Sequence, residues 1–133
     1  MTTMAKNVGS YAQNQQTGES IRETEARALL NCASRLAAAQ DINNGYEYYL
    51  DAIKHNQELW TLFQVLLADP QNPLPRDLKI TLLNLSRYVD KVSLRASAEY
   101  NPDLLNSLID INKQIASGLS ASPAMEAQAA AAG

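Results

Sequence analysis

An all-α fold, an antiparallel bundle of about four helices with a flexible tail at each end, is what the sequence predicts. Three observations carry that expectation. Apolar residues recur at three- and four-residue spacing in four separate segments, which marks one buried face of a helix. No segment alternates polar and apolar residues as a half-buried strand does. Prolines separate the last three segments, and short connections between amphipathic helices favour antiparallel neighbours around one core.

The first helix opens at Ser20, with Glu23 three residues on, the spacing of a capping box in which each side chain satisfies a free backbone donor. Ala26, Leu29, Leu30, Ala33, Leu36 and Ala37 follow on one face. The helix is expected to end near Asp41, where "INNG" offers Asn and Gly for a left-handed stop. The second helix runs from Tyr46 to Ala68. Tyr46, Tyr49, Leu50 and Ile53 start its stripe, and Leu59, Trp60, Leu62, Phe63, Leu66 and Leu67 make its latter half apolar over most of its circumference.

Pro75 is expected to open the third helix, because its missing N–H has no partner in a first turn anyway. Leu78, Leu82, Leu85, Val89 and Val92 give that helix its stripe. The fourth begins at "NPD", with Asn101 as cap, Pro102 at the first position and Asp103 favourable at the positive helix end. Leu104, Leu105, Leu108, Ile111 and Ile115 carry its stripe, and Gly118 is the expected stop.

Residues 1–19 are rich in Gln, Asn, Ser, Thr and Gly, with Tyr11 their one large side chain, and predict a flexible arm. Residues 20–119 form the helical domain, and 120–133 predict a disordered Ala-rich tail. A chain of 133 residues is one domain by length. Its net charge of −3 and pI near 5.0 disfavour nucleic acid, which demands clustered Lys and Arg. The one cysteine, Cys32, cannot form an internal disulfide. With no signal-peptide core and no window approaching the ~20 apolar residues of a membrane span, the expected location is the cytoplasm without membrane insertion.

No catalytic constellation survives inspection, so no enzyme, cofactor or metal is expected. His55 is the only histidine, and the five glycines are isolated from one another, so neither a His-based dyad nor a phosphate loop can be assembled. Cys32 lies in a run of small residues and reads as a packed side chain. Glu23 and Glu25 serve a helix start. What remains is apolar surface. Three near-adjacent tyrosines, Tyr46, Tyr48 and Tyr49, cannot all face one core, so at least one lies at the surface, where an amphipathic ring makes a good contact. Trp60 and Phe63 are open to two readings, bundle interior or a groove that another molecule fills. A partner groove, if present, is expected beside the second helix, with Tyr46, Tyr49, Trp60, Phe63, Leu67 and Leu74, and with Tyr11 reaching it from the arm.

The segments "SYAQNQQTGESIRETEARALL", "ELWTLFQVLLADPQNPLP", "LLNLSRYVDKV" and "LIDINKQIASGL" resemble, in this order, the alphaproteobacterial flagellar regulator FlaF family. The resemblance runs from about Ser10 to Leu119 and leaves out the Ala-rich extension. It implies a small cytoplasmic protein that promotes flagellin production or secretion, opposes the companion regulator FlbT, and has no catalytic residues. Flagellin ends are amphipathic helical segments, unprotected before polymerisation, and a helical bundle with an apolar groove could cover them as an export chaperone. The alternative is a post-transcriptional regulator acting through FlbT or the messenger RNA. Direct RNA binding is disfavoured by the charge balance and by the absence of an aromatic–basic platform. A homo-oligomer would use the same apolar surface.

Overall fold

The computed structural model describes residues 21–120. Four helices follow one another: α1 (Ile21–Ala39), α2 (Tyr46–Ala68), α3 (Arg76–Ala98) and α4 (Leu105–Ser120), with 3-10 turns at Ile42–Asn44 and Pro102–Leu104. No strand occurs among the described residues. The expected arm, Tyr11, the Ser20 cap and residues 121–133 lie outside them.

α1 buries Ala26, Leu29, Ala33, Leu36 and Ala39. Its small side chains allow close approach, and its most extensive partner is α4. Leu30 and Ala37, expected on the same stripe, face solvent instead, Leu30 with 45% of its surface exposed. Each is about 100° around the helix from its buried neighbour, so the true stripe is narrower than the sequence suggests. The "INNG" segment also differs from expectation. α1 stops at Ala39, Asp41 accepts a hydrogen bond from the Asn43 N–H at 2.9 Å, and Asn44 Nδ2 donates to the Ala38 carbonyl at 2.8 Å. Gly45, with φ +90°, then sits at the start of α2 rather than at the end of α1, and its carbonyl accepts from the Tyr49 N–H. A Cβ there would meet nothing within 4 Å, so glycine is needed for the backbone conformation and not for space.

α2 is bordered by α1 and α3. Pro75 comes immediately before α3 instead of within it; extended at ψ 146°, it offers its carbonyl to the Lys79 N–H. The buried residues of α3 are Ser86, Val89, Ser93 and Ala96, while Leu85 and Val92 are half-buried against the core. The expected start of the fourth helix is a 3-10 turn, in which Asn101 Oδ1 accepts from the Asp103 N–H at 3.2 Å, and α4 proper begins at Leu105. Gly118 does not stop it. The helix continues to Ser120, which places Leu119 in the core, an apolar gain that a stop at Gly118 would forfeit.

The bundle therefore has two unlike ends. At one, the 3-10 turns knit the helices together, with Gln40 Nε2 donating to the Pro102 carbonyl and to Asn106 Oδ1. At the other, α1 begins, α4 ends and the Asp69–Pro75 segment joins α2 to α3. α3 meets α4 only sparingly and keeps most of its contact for α2. The seam between α3 and α4 is open at this second end.

Candidate functional site

A cleft of about 280 Å³ occupies that open end. Its floor is the apolar face of α2 with Trp60, Phe63, Leu66 and Leu67; Leu82 of α3 faces Ile115 and Leu119 of α4 across it, and Leu74 closes one side. Glu25 of α1 and Asp69 bring two carboxylates to its lining. A mostly apolar hollow with a few polar groups at its edge is the ordinary form of a binding site.

The wall at Leu74 is built by the sequence "DPQNPLP". Asp69 Oδ1 accepts from the Gln71 N–H at 2.9 Å, and Asn72 Oδ1 accepts from the Leu74 N–H at 3.0 Å. Asn72 Nδ2 donates to the Leu66 carbonyl at 3.0 Å, which ties the segment back to the last turn of α2. Side-chain bonds to nearby amides are the usual work of Asp and Asn in turns, and the prolines fix the remaining dihedrals. Leu74 is thus held, half-buried, between two prolines.

Trp60 is both core and floor. Only 1% of its surface is exposed, and Nε1 donates to Asn112 Oδ1 of α4 at 3.0 Å. Phe63 meets it edge to face with ring centroids 5.6 Å apart, a favourable aromatic geometry. Phe63 and Leu67 are buried as well. Four of the expected contact residues, Trp60, Phe63, Leu67 and Leu74, are therefore brought together around one cleft.

Tyr46 and Tyr49 are not among them. They lie at the opposite end of α2, Tyr49 fourteen residues and ~21 Å of helix rise from Phe63 and Tyr46 seventeen residues and ~26 Å. Tyr49 is fully buried, and its hydroxyl reaches the Ala96 carbonyl at 2.7 Å and the Glu99 carbonyl at 2.9 Å, which caps the end of α3. Tyr46 and Tyr100 remain 45% and 43% exposed, with their ring centroids 5.0 Å apart, and Tyr48 is exposed on another side of α2, near Arg35 and His55. Of the three near-adjacent tyrosines, one is a core residue and two are surface. Tyr11 falls outside the described residues, so its relation to either end is not fixed.

A family model described as "Flagellar protein FlaF" matches residues 7–119 of the chain. The chain belongs to the FlaF family. No curated protein and no solved structure matches it significantly. Every wall of the cleft lies within the FlaF match, and so does Tyr11; the Ala-rich residues after Leu119 do not.

Leu66, Leu82, Ile115 and Leu119 complete the site without having been singled out from sequence. Their apolar character was plain, but in a helix stripe nothing distinguishes a residue meeting a neighbour from one meeting a cleft. Among the described residues no group of three or more His, Cys, Asp or Glu is placed to hold a metal, and no helix is long and apolar enough to cross a membrane.

Cys32 is half-buried in α1. Burial pushes its thiol up to about 11 from an ordinary 9.0; the nearby Arg35 guanidinium pulls the other way and Glu58 adds a little to the rise. At pH 8 only about one molecule in a thousand carries the reactive thiolate. Cys32 in the FlaF chain is accordingly expected to react slowly with Ellman's reagent at pH 8 and quickly once unfolded in urea; equal rates would contradict its burial. Tyr49 is raised too, chiefly by burial, against the downward effect of its hydrogen bond to the Asn101 backbone. Both shifts favour the protonated form in the fold. The stability they confer is intact below pH 9.0 and is lost as pH rises, for Cys32 through about 11. Urea midpoints should therefore fall as pH rises above 9.0.

Proposed function

We propose that this chain promotes flagellin synthesis or export by holding an amphipathic helical segment of flagellin in the cleft between α2, α3 and α4. The observation that carries this reading is the cleft itself: an apolar hollow open at one end of a bundle whose family is flagellar. A helix laid across Phe63, Leu67, Leu74 and Leu82 would bury apolar positions at helical spacing, as helix-in-groove partners do. A stable pairing of this kind buries about 1,200–2,000 Å² in total, so a client would extend from the cleft along the exposed surface of the bundle. A cytoplasmic chaperone of this type needs no chemistry beyond burial.

Leu74 offers the cleanest test, because it sits on a loop and contributes little to the core. Leu74→Asp is expected to weaken binding of purified monomeric flagellin at least tenfold, about 1.4 kcal/mol, in isothermal titration, while the circular dichroism stays unchanged. Unaltered affinity would remove the cleft from the interaction.

A second reading draws on the opposite end, where Tyr46 and Tyr100 are exposed together. Tyrosine is a favoured contact residue, and this surface suits a protein partner such as the companion regulator FlbT. Tyr46→Ser with Tyr100→Ser should then weaken FlbT binding and leave flagellin binding intact. Loss of flagellin binding in that variant would instead place the client at the wrong end.

A further inference from the structure

The cleft stands at the end of the bundle from which the rest of the chain departs. Glu25 lies four residues into α1 and lines it, and Leu119 lines it one residue before α4 ends. Residues 1–20 and 121–133 are thus both covalently attached at its rim. An apolar hollow with two chain segments anchored beside it has candidate occupants at very high effective concentration.

Both segments are long enough: ten residues from Tyr11 to Ile21 span up to ~33–36 Å when extended, enough to return Tyr11 across the cleft, and the thirteen of 121–133 reach as far. Two observations separate them. Charge favours the first. Among the described side chains the cleft lining contains two carboxylates, Glu25 and Asp69, and no basic residue. Lys6 is the only charged residue in 1–18, and "NVGSYAQNQQTG", residues 7–18, is uncharged, whereas the other segment carries Glu126. Finally, the FlaF match takes in residues 7–20 and ends at 119, so the first segment is part of what the family model describes and the second is not.

We propose that residues 7–18 are the resident occupant of the cleft, seating Tyr11 against Phe63, Leu67 and Leu74 until a client helix displaces them. A tyrosine can bury its ring on such a floor while its hydroxyl meets the carboxylates at the edge. The segment then acts as a competitor in cis, and the affinity seen by a client is reduced by the fraction of time the cleft is filled. The competition rests on the client reading given above; the occupancy does not.

Paramagnetic relaxation in the full chain tests the occupancy. A nitroxide is attached at Ala12→Cys in a Cys32→Ala background, and a control label at Ala127→Cys. The expected result is strong broadening of the Leu66, Leu67 and Leu74 amides from position 12, little from position 127, and loss of the position-12 broadening when Tyr11→Ser is added. No broadening from position 12 overturns the proposal. So does stronger broadening from position 127, or broadening that appears between a labelled and an isotope-enriched copy, which would make a second chain the occupant.

Flagellin titration then distinguishes the two claims. If the segment fills the cleft for about nine-tenths of the time, Tyr11→Ser binds flagellin about tenfold more tightly than the natural chain. Broadening that persists unchanged with flagellin present, with no flagellin binding to either chain, upholds the occupancy and defeats the client reading. Flagellin that shifts the cleft amides, in a chain showing no broadening from position 12, does the reverse.

Discussion

Replacing Trp60 with alanine lowers the unfolding free energy by about 3–5 kcal/mol, the usual cost of removing a buried aromatic side chain. The indole is the largest fully buried side chain among the described residues, and its loss opens a void between α2 and α4. It also leaves Asn112 Oδ1 without its donor. Urea unfolding followed by far-ultraviolet circular dichroism measures the change, since the protein's only tryptophan is gone. Trp60→Phe separates the terms: most of the volume stays, the hydrogen bond goes, and the expected loss is about 1–3 kcal/mol. A Trp60→Ala chain as stable as the natural one would mean that the ring is not packed where it is described.

Asn112→Ala is the second large effect. Asn112 is fully buried in α4 and serves three helices at once. Its Oδ1 accepts from Trp60 Nε1, while Nδ2 donates to Asn56 Oδ1 of α2 at 2.7 Å and to the Leu29 carbonyl of α1 at 3.3 Å. Truncation strands a donor and an acceptor side chain in the core, each costing about 1–3 kcal/mol, so the total should reach about 3 kcal/mol or more. Replacing both asparagines removes the need for some of these bonds. Asn56→Leu with Asn112→Leu is therefore expected to lose clearly less than the sum of the two single variants, and a double-mutant cycle reads that coupling. Strict additivity would show that the two amides do not depend on each other.

The helices themselves were legible because their causes are local. The spacing of Ala26, Leu29, Ala33 and Leu36, the proline before Arg76 and the Asn101 turn all act within a few residues of their effect. Asn56 and Asn112 were not, since an amide within an apolar stripe usually belongs to solvent, and only the meeting of three helices gives each a partner. The same reason explains the tyrosines. Tyr46 and Tyr49 share one helical stripe and sit on opposite sides of the surface boundary, which is set by where α3 ends. The Trp60 question, interior or groove, had no answer in sequence because the residue does both: its polar edge is bonded inside while the ring helps form the cleft floor.

The buried face of α3 is made of two serines, one valine and one alanine. Small side chains remove little apolar area from water, and Ser93 Oγ is buried with no hydrogen-bond partner, so this helix is the least firmly anchored of the four. It is also one wall of the cleft. A wall held so lightly is a compliant one, able to swing outward about its tethers at Tyr49 and Gln64–Asp90 without disturbing the α1–α4 pair. Amide exchange should rank the helices accordingly, with α3 opening at lower free energy than α1 or α4. An exchange ranking of that kind would make the cleft's width depend on how often α3 stands away from α2.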